Sequence, residues 1–408
     1  MPSAQSDASS LLRFAGRVVI LAVYALSRAR LLFRPSANPG TDLDFYFEYA
    51  RRAARGDVPY VDFPVEYPPG AWLLIRAPAT TDWVTYAHRF ARIATTLELG
   101  AFALSLLIVR RIAPRHFWLI TGTYVVATTL LREFLPTRLD SGLLFLLILW
   151  AWLALPGGAG ASAGRRGLSY AVLGVATAFK LVPILILPFA LVRDWRNAGR
   201  RPIQPVIWFA AGLALPFAVL WPATGSAALR FLSFHVERGL EVESIWATVL
   251  WPMRWLGAPV AAMHVGHTIE MTGPGAAALA QFSTLAAAAV LGLCLAAEHF
   301  RPWRGSAIVT ATIGLAAFVT ASKVMSPQYF VWMLPLLLVA GGEALATDRA
   351  KWWWSAGVVL VAALTWLIYP RFFLAVLDMR PLGFLLLSAR NALLVALLIV
   401  LARGAWKR

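Results

Sequence analysis

Long apolar runs dominate the chain, and they leave it few ways to fold. Several windows exceed the roughly 18 consecutive apolar residues needed to cross a hydrocarbon core of about 30 Å. In hydrocarbon a backbone must satisfy its own hydrogen bonds, so only helices or a closed barrel can span it. These runs lack the short-period alternation of barrel strands. Of 408 residues, 60% are hydrophobic and 14% charged, against about 25% charged in a soluble domain. The sequence therefore predicts an all-α polytopic membrane protein, with residues 1–408 forming a single integral membrane domain.

The formal net charge is +17. Most of it is Arg in short loops, where it sets topology and meets anionic lipid headgroups, so the excess does not point to nucleic acid. The single cysteine, Cys294, lies in an apolar run. That excludes an intramolecular disulfide and a cysteine metal site. The stretch 11–33 is broken by Arg13, Arg17, Arg28 and Arg30, and no small-residue cleavage site follows. It reads as an uncleaved first span.

Basic ends order the remaining runs. The first span, about 12–33, leads to an outer segment, 34–85, that is acidic, aromatic and proline-rich. Within it, residues 44–56 read as an amphipathic interfacial helix. Phe45, Tyr49 and Ala53 fall on one side, and Glu48, Arg51, Arg52 and Arg55 on the other. Spans at about 90–110 and 117–131 are separated by the basic cluster Arg110, Arg111 and Arg115, which marks the cytoplasm. A fourth returns to Arg165 and Arg166. Residues 168–192 have basic loops on both sides and are interrupted by Lys180 and Pro183, so two short helices meeting at Lys180 are expected. Another span, 205–222, leads to a second outer segment, 223–275. Five more follow, at about 276–298, 306–322, 329–346, 353–370 and 382–402. The total is roughly eleven or twelve membrane helices with both termini inside.

This topology puts four charged groups on the outer side. They are Asp42 and Asp44 with Glu66, Tyr67, Pro68 and Pro69; Arg138 with Asp140; His235, Glu237, Arg238, Glu241 and Glu243; and Lys323 with Ser326, Pro327, Gln328 and Tyr329. Lys180 lies at the same depth. Charges at membrane depth are costly and default to functional readings. Carboxylates can activate a hydroxyl, and Lys and Arg can hold a phosphate. Structural readings compete. Asp42 or Asp44 suits a helix N-cap, Lys180 a snorkelling position, and the Arg238–Ser244 run a solvated loop. Glu98, Arg390 and Asn391, inside spans, need partners within the bundle. His264 and His267 have no evident third ligand, so no metal site is expected. Gly-rich nucleotide loops are absent, and no cofactor is expected.

Taken together, these motifs resemble glycosyltransferase family 87, polytopic enzymes of the GT-C fold. Asp42 and Tyr46 match its first-loop D-x-x-x-Y, followed by Gly56, Pro59 and Tyr60, then Tyr67, Pro68 and Pro69. Lys180 and Pro183 match its K-x-x-P hairpin. His235, Arg238, Gly239, Leu240, Glu243 and Ser244 match H-x-x-R-G-L-x-x-E-S. Lys323, Ser326, Pro327, Gln328, Tyr329, Trp332, Pro335 and Leu336 match its last motif. The resemblance implies an inverting transferase that moves a sugar, often mannose, from a polyprenyl-phosphate donor to a lipid or glycan acceptor outside the membrane. A carboxylate, Asp42 or Asp44, is the implied base. Tyr67, Lys180, His235, Arg238, Glu243, Lys323 and Gln328 are the implied donor and substrate contacts. The rival class is a transporter or lipid flippase. Transporters often carry matched broken helices in two halves, and here only one such interruption is evident.

Overall fold

In the computed structural model the described residues are 3–33, 42–155, 163–198, 203–266 and 268–406. The helices are α1 (Ser3–Phe33), α2 (Asp42–Ala54), α3 (Pro69–Arg76), α4 (Trp83–Ile112), α5 (Phe117–Leu130) and α6 (Asp140–Ala154). Then come α7 (Ala163–Phe179), α8 (Leu187–Ala198), α9 (Ile203–Thr224), α10 (Phe231–Glu237) and α11 (Trp251–Trp255). The last six are α12 (Ala276–Phe300), α13 (Ala307–Ala321), α14 (Tyr329–Ala344), α15 (Asp348–Trp366), α16 (Phe373–Leu377) and α17 (Pro381–Trp406).

Five helical stretches among the described residues are long and apolar enough to cross a membrane. They are α4, Ile203–Glu237, α12, Asp348–Arg371 and α17. The shorter apolar helices α6, α13 and α14 join the same bundle. The protein is a polytopic helical membrane protein. Helix α14 is its axis, buried on nearly every side from Phe330 to Gly342 and packed against α4, α6, α13 and α15. The expected break at Lys180 is present: α7 ends at Phe179, and a 3₁₀ turn at Val182–Ile186 leads into α8.

Charges inside the bundle find partners. Arg28 of α1 pairs with Glu98 of α4 at 2.8 Å, both buried. The Tyr24 and Tyr124 hydroxyls donate to the same carboxylate at 3.1 and 2.9 Å. Arg390 of α17 pairs with Glu243 at 2.6 Å, and its second amino group donates to the Glu243 carbonyl at 2.8 Å. Asn391 accepts from Arg390 Nε at 3.1 Å. Sequence position alone left Glu98 and Arg390 without ion-pair partners, because Arg28 and Glu243 lie 70 and 147 residues away.

Two features depart from the sequence expectation. The buried face of α2 carries Leu43, Tyr46, Tyr49 and Ala50, one residue round from the predicted stripe. Here α2 packs on α3 and α4, so protein contacts select the face. The second outer segment is also not purely helical. Strands β1 (Ala261–Val265) and β2 (Thr268–Thr272) form an antiparallel hairpin. On its other edge β2 meets residues 240–242, with Val242 N donating to Ile269 O at 3.1 Å and Met271 N to Leu240 O at 2.7 Å. The pairing is non-local, and the five-residue strands gave little periodic signal.

Candidate functional site

A cavity of about 500 Å³ opens where α2, the α3 approach, α6, the α7–α8 break, the 234–243 segment and the α13–α14 connection meet. That size lies within the range of about 300–1,000 Å³ usual for ligand sites.

Short-range structure aims the first wall. Asp42 and Asp44 occupy the first turn of α2, where the helix dipole favours carboxylates. Gly56 adopts φ +102°, a left-handed conformation that suits glycine and turns the chain after α2. The Tyr60 hydroxyl then donates to Tyr67 O at 2.8 Å, which fixes the Tyr67–Pro68 bend at the cavity. Gly70, next in line, packs so closely on α7 that a Cβ would lie 2.7 Å from Ala178 O. This contact carries α3 against the end of α7, beside Lys180.

Asp42 lines the cavity and forms an ion pair with Arg138. The Tyr46 hydroxyl lies 3.4 Å from Asp42 Oδ2 and 3.4 Å from the Tyr67 hydroxyl. Asp44 takes a different course. Its Oδ1 accepts from the Trp83 indole at 2.8 Å, and it is not among the cavity residues. Asp140, at the start of α6 and buried, pairs with Lys180 at 2.9 Å. The Lys180 ammonium stands 5.0 Å over the Tyr329 ring, a cation–π position.

The opposite wall comes from the 234–243 segment. His235, Arg238, Glu241 and Glu243 all face the cavity, with Gln328 and Tyr329 beside them. Beside Arg238, the Glu270 carboxylate packs over Gly239, in the space a Cβ would take. Lys323 lies just behind this wall and is not itself a cavity residue. Its ammonium donates to the Arg238 carbonyl and, at 3.4 Å, to the Val236 carbonyl. His264 and Thr268 of the β hairpin form the roof. His267 lies outside the described residues.

Three of the cavity's carboxylates are already matched to cations: Asp42 to Arg138, Asp140 to Lys180, and Glu243 to Arg390. Arg238 is different, because its Nε is buried with no hydrogen-bond partner among the described residues. Glu66 faces the same space. Burial pushes its carboxyl up to about 7, against the opposing pull of Arg238. The cavity thus offers several carboxylates, a guanidinium whose Nε has no hydrogen-bond partner among the described residues, and a group of tyrosines.

Of the sequence-predicted residues, the structure brings Asp42, Tyr67, Lys180, His235, Arg238, Glu243 and Gln328 to one cavity. Asp44 and Lys323 sit one layer behind it. The sequence names Glu66, Arg138, Asp140, Glu241 and Tyr329 within its outer charged groups and Tyr46 within a motif, without giving them a site role, and it does not single out Tyr369. For Arg138 and Asp140 the signal was present, a charged pair directly before an apolar run. For His264 and Thr268 no local signal existed.

No protein-family model matches the chain, and a search of curated proteins returns no match. Two solved structures are similar in overall shape. The crystal structure of ArnT from Cupriavidus metallidurans bound to undecaprenyl phosphate aligns at TM-score 0.48 and 16% identity, covering 96% of this chain and 77% of that one. The apo state of the same protein aligns at 0.47 and 15%, covering 98% and 78%. Similarity this distant carries no argument about chemistry.

Proposed function

We propose that this protein is an integral membrane glycosyltransferase of GT-C type. It transfers a sugar, with mannose the first candidate, from a polyprenyl-phosphate donor to a lipid or glycan acceptor at the outer face of the membrane. The observation that supports this reading is convergence. Motifs around positions 42, 67, 180, 238 and 328, far apart in sequence, contribute side chains to a single cavity. Each stands out in the sequence by its chemistry or by its resemblance to family 87.

In this reading Asp42 is the general base. Arg138 and Tyr46 orient its carboxylate across the cavity. The acceptor hydroxyl gives its proton to Asp42 as its oxygen bonds to the anomeric carbon. The bond from that carbon to the phosphate oxygen breaks on the opposite face, and the configuration inverts. The departing lipid phosphate carries the electron pair and is met by Arg238, whose Nε has no hydrogen-bond partner among the described residues. Lys180 is held by Asp140 and Tyr329 and contributes positive potential from the floor. The tyrosine ring supplies flat apolar faces and hydroxyls suited to a sugar.

The test is transfer of labelled mannose from polyprenyl-phosphate mannose to a membrane lipid fraction by the purified protein in nanodiscs. Product formation that Asp42→Asn abolishes supports the reading. Absence of transfer from every polyprenyl-phosphate hexose tried, with the protein folded, overturns it.

A further inference from the structure

Glu241 is the cavity carboxylate with the least obvious role. It is buried and lies close enough to Arg238 to act on it electrostatically. Two such groups would ordinarily pair. Instead both carboxylate oxygens point at the α13–α14 connection. Oε2 accepts from Met325 N at 2.5 Å, and Oε1 from the Ser326 hydroxyl at 2.5 Å. The Glu241 backbone N–H donates to Lys323 O at 3.0 Å, and the Lys323 ammonium returns to the Arg238 carbonyl. The two segments are cross-strapped by side chains and backbone together.

We propose that Glu241 is a positioning residue whose engagement with Ser326 and Met325 keeps its charge away from Arg238, leaving that guanidinium to an anionic ligand. The proposal rests on the phosphate-donor reading above and adds its control element. The same strap seats Gln328 and Tyr329 at the cavity, and through Tyr329 it steadies Lys180. If the Ser326 hydroxyl is removed, Oε1 loses its donor. A buried carboxylate oxygen without a donor is costly, and Arg238, within electrostatic reach, has an Nε with no hydrogen-bond partner among the described residues. The carboxylate then swings onto Arg238 and neutralises the ligand site.

The experiment measures binding of a polyprenyl phosphate to the full-length protein in nanodiscs. Ser326→Ala is expected to weaken binding on the order of tenfold, the scale of one charge-assisted hydrogen bond. The double variant Glu241→Gln with Ser326→Ala is expected to recover most of that loss, because the side chain that falls onto Arg238 is now neutral. A purely structural strap predicts the opposite, since the second change weakens it further. Should Ser326→Ala not purify folded, Ser326→Cys carries the same test, because a thiol is a weak donor. Unchanged affinity in the single variant overturns the proposal, and so does further loss in the double variant. If the wild-type protein itself fails to bind the lipid phosphate, the donor reading fails first, which separates the two.

Discussion

Asp42 and Asp44 are two residues apart on one helix turn, yet they face different surroundings. Asp42 meets Arg138 and the Tyr46 hydroxyl at the cavity, while Asp44 is held by the Trp83 indole. Asp42→Asn is therefore expected to reduce turnover by roughly two to four orders of magnitude, the scale of losing general-base help. Asp44→Asn should leave most of it. Initial rates of sugar transfer for the two variants check this, and the reverse ranking would move the base to Asp44. Glu66 makes a different prediction. Burial raises its carboxyl from the ordinary 4.5 to about 7, so the fold favours the protonated form. That contribution to stability is whole below pH of about 4.5 and is lost as pH rises through about 7. Wild type should lose thermal midpoint relative to Glu66→Gln between pH 5 and pH 8. A difference that stays flat over that interval contradicts the assignment.

Among the elements, α1, α4 and α5 are joined by one buried polar knot. Arg28 reaches Glu98 through two nitrogens and Thr128 through one of them, at 2.9, 2.8 and 2.6 Å, and its guanidinium also stacks on Tyr24. Replacing Glu98 by Ala strands a buried cation and should cost about 3–5 kcal/mol. The paired change Arg28→Met with Glu98→Met should recover much of that, because a buried ion pair is weak evidence for net stability. Thermal unfolding in one detergent compares the three proteins. A double variant as unstable as Glu98→Ala would show that the knot is worth more than packing can replace. The β hairpin obeys other rules. It is held by backbone bonds to residues 240–242 and by the Glu270 carboxylate against Gly239, so its register depends on a segment about 30 residues earlier.

Over the whole molecule, the proposed topology puts the 42–70 loop and the end of α17 on opposite sides of the membrane. With Cys294 replaced by Ser, single cysteines at Val61 and Trp406, both exposed positions, should react with an impermeant thiol reagent from opposite sides. Labelling of both from one side would invalidate the proposed topology. The class, the order of the helices and the break at Lys180 were legible in the sequence, because apolar length and breaker residues act locally along the chain. The lining of the cavity was partly legible for a related reason: charges at membrane depth are expensive, so Asp42, Lys180 and Arg238 stand out by residue type and place in the chain. What the sequence left open was partnership. It could not separate Asp42 from Asp44, since both fit one helix turn, and only packing of α2 on α3 and α4 turned one toward Arg138 and the other toward Trp83. Nor could it match Glu98 to Arg28, Glu243 to Arg390 or Glu241 to Ser326. Those pairs join residues 70 to 147 positions apart, and long-range electrostatics leave no periodic trace in the chain. Local physics determined which residues were too costly to be idle, and tertiary packing decided which of them meet.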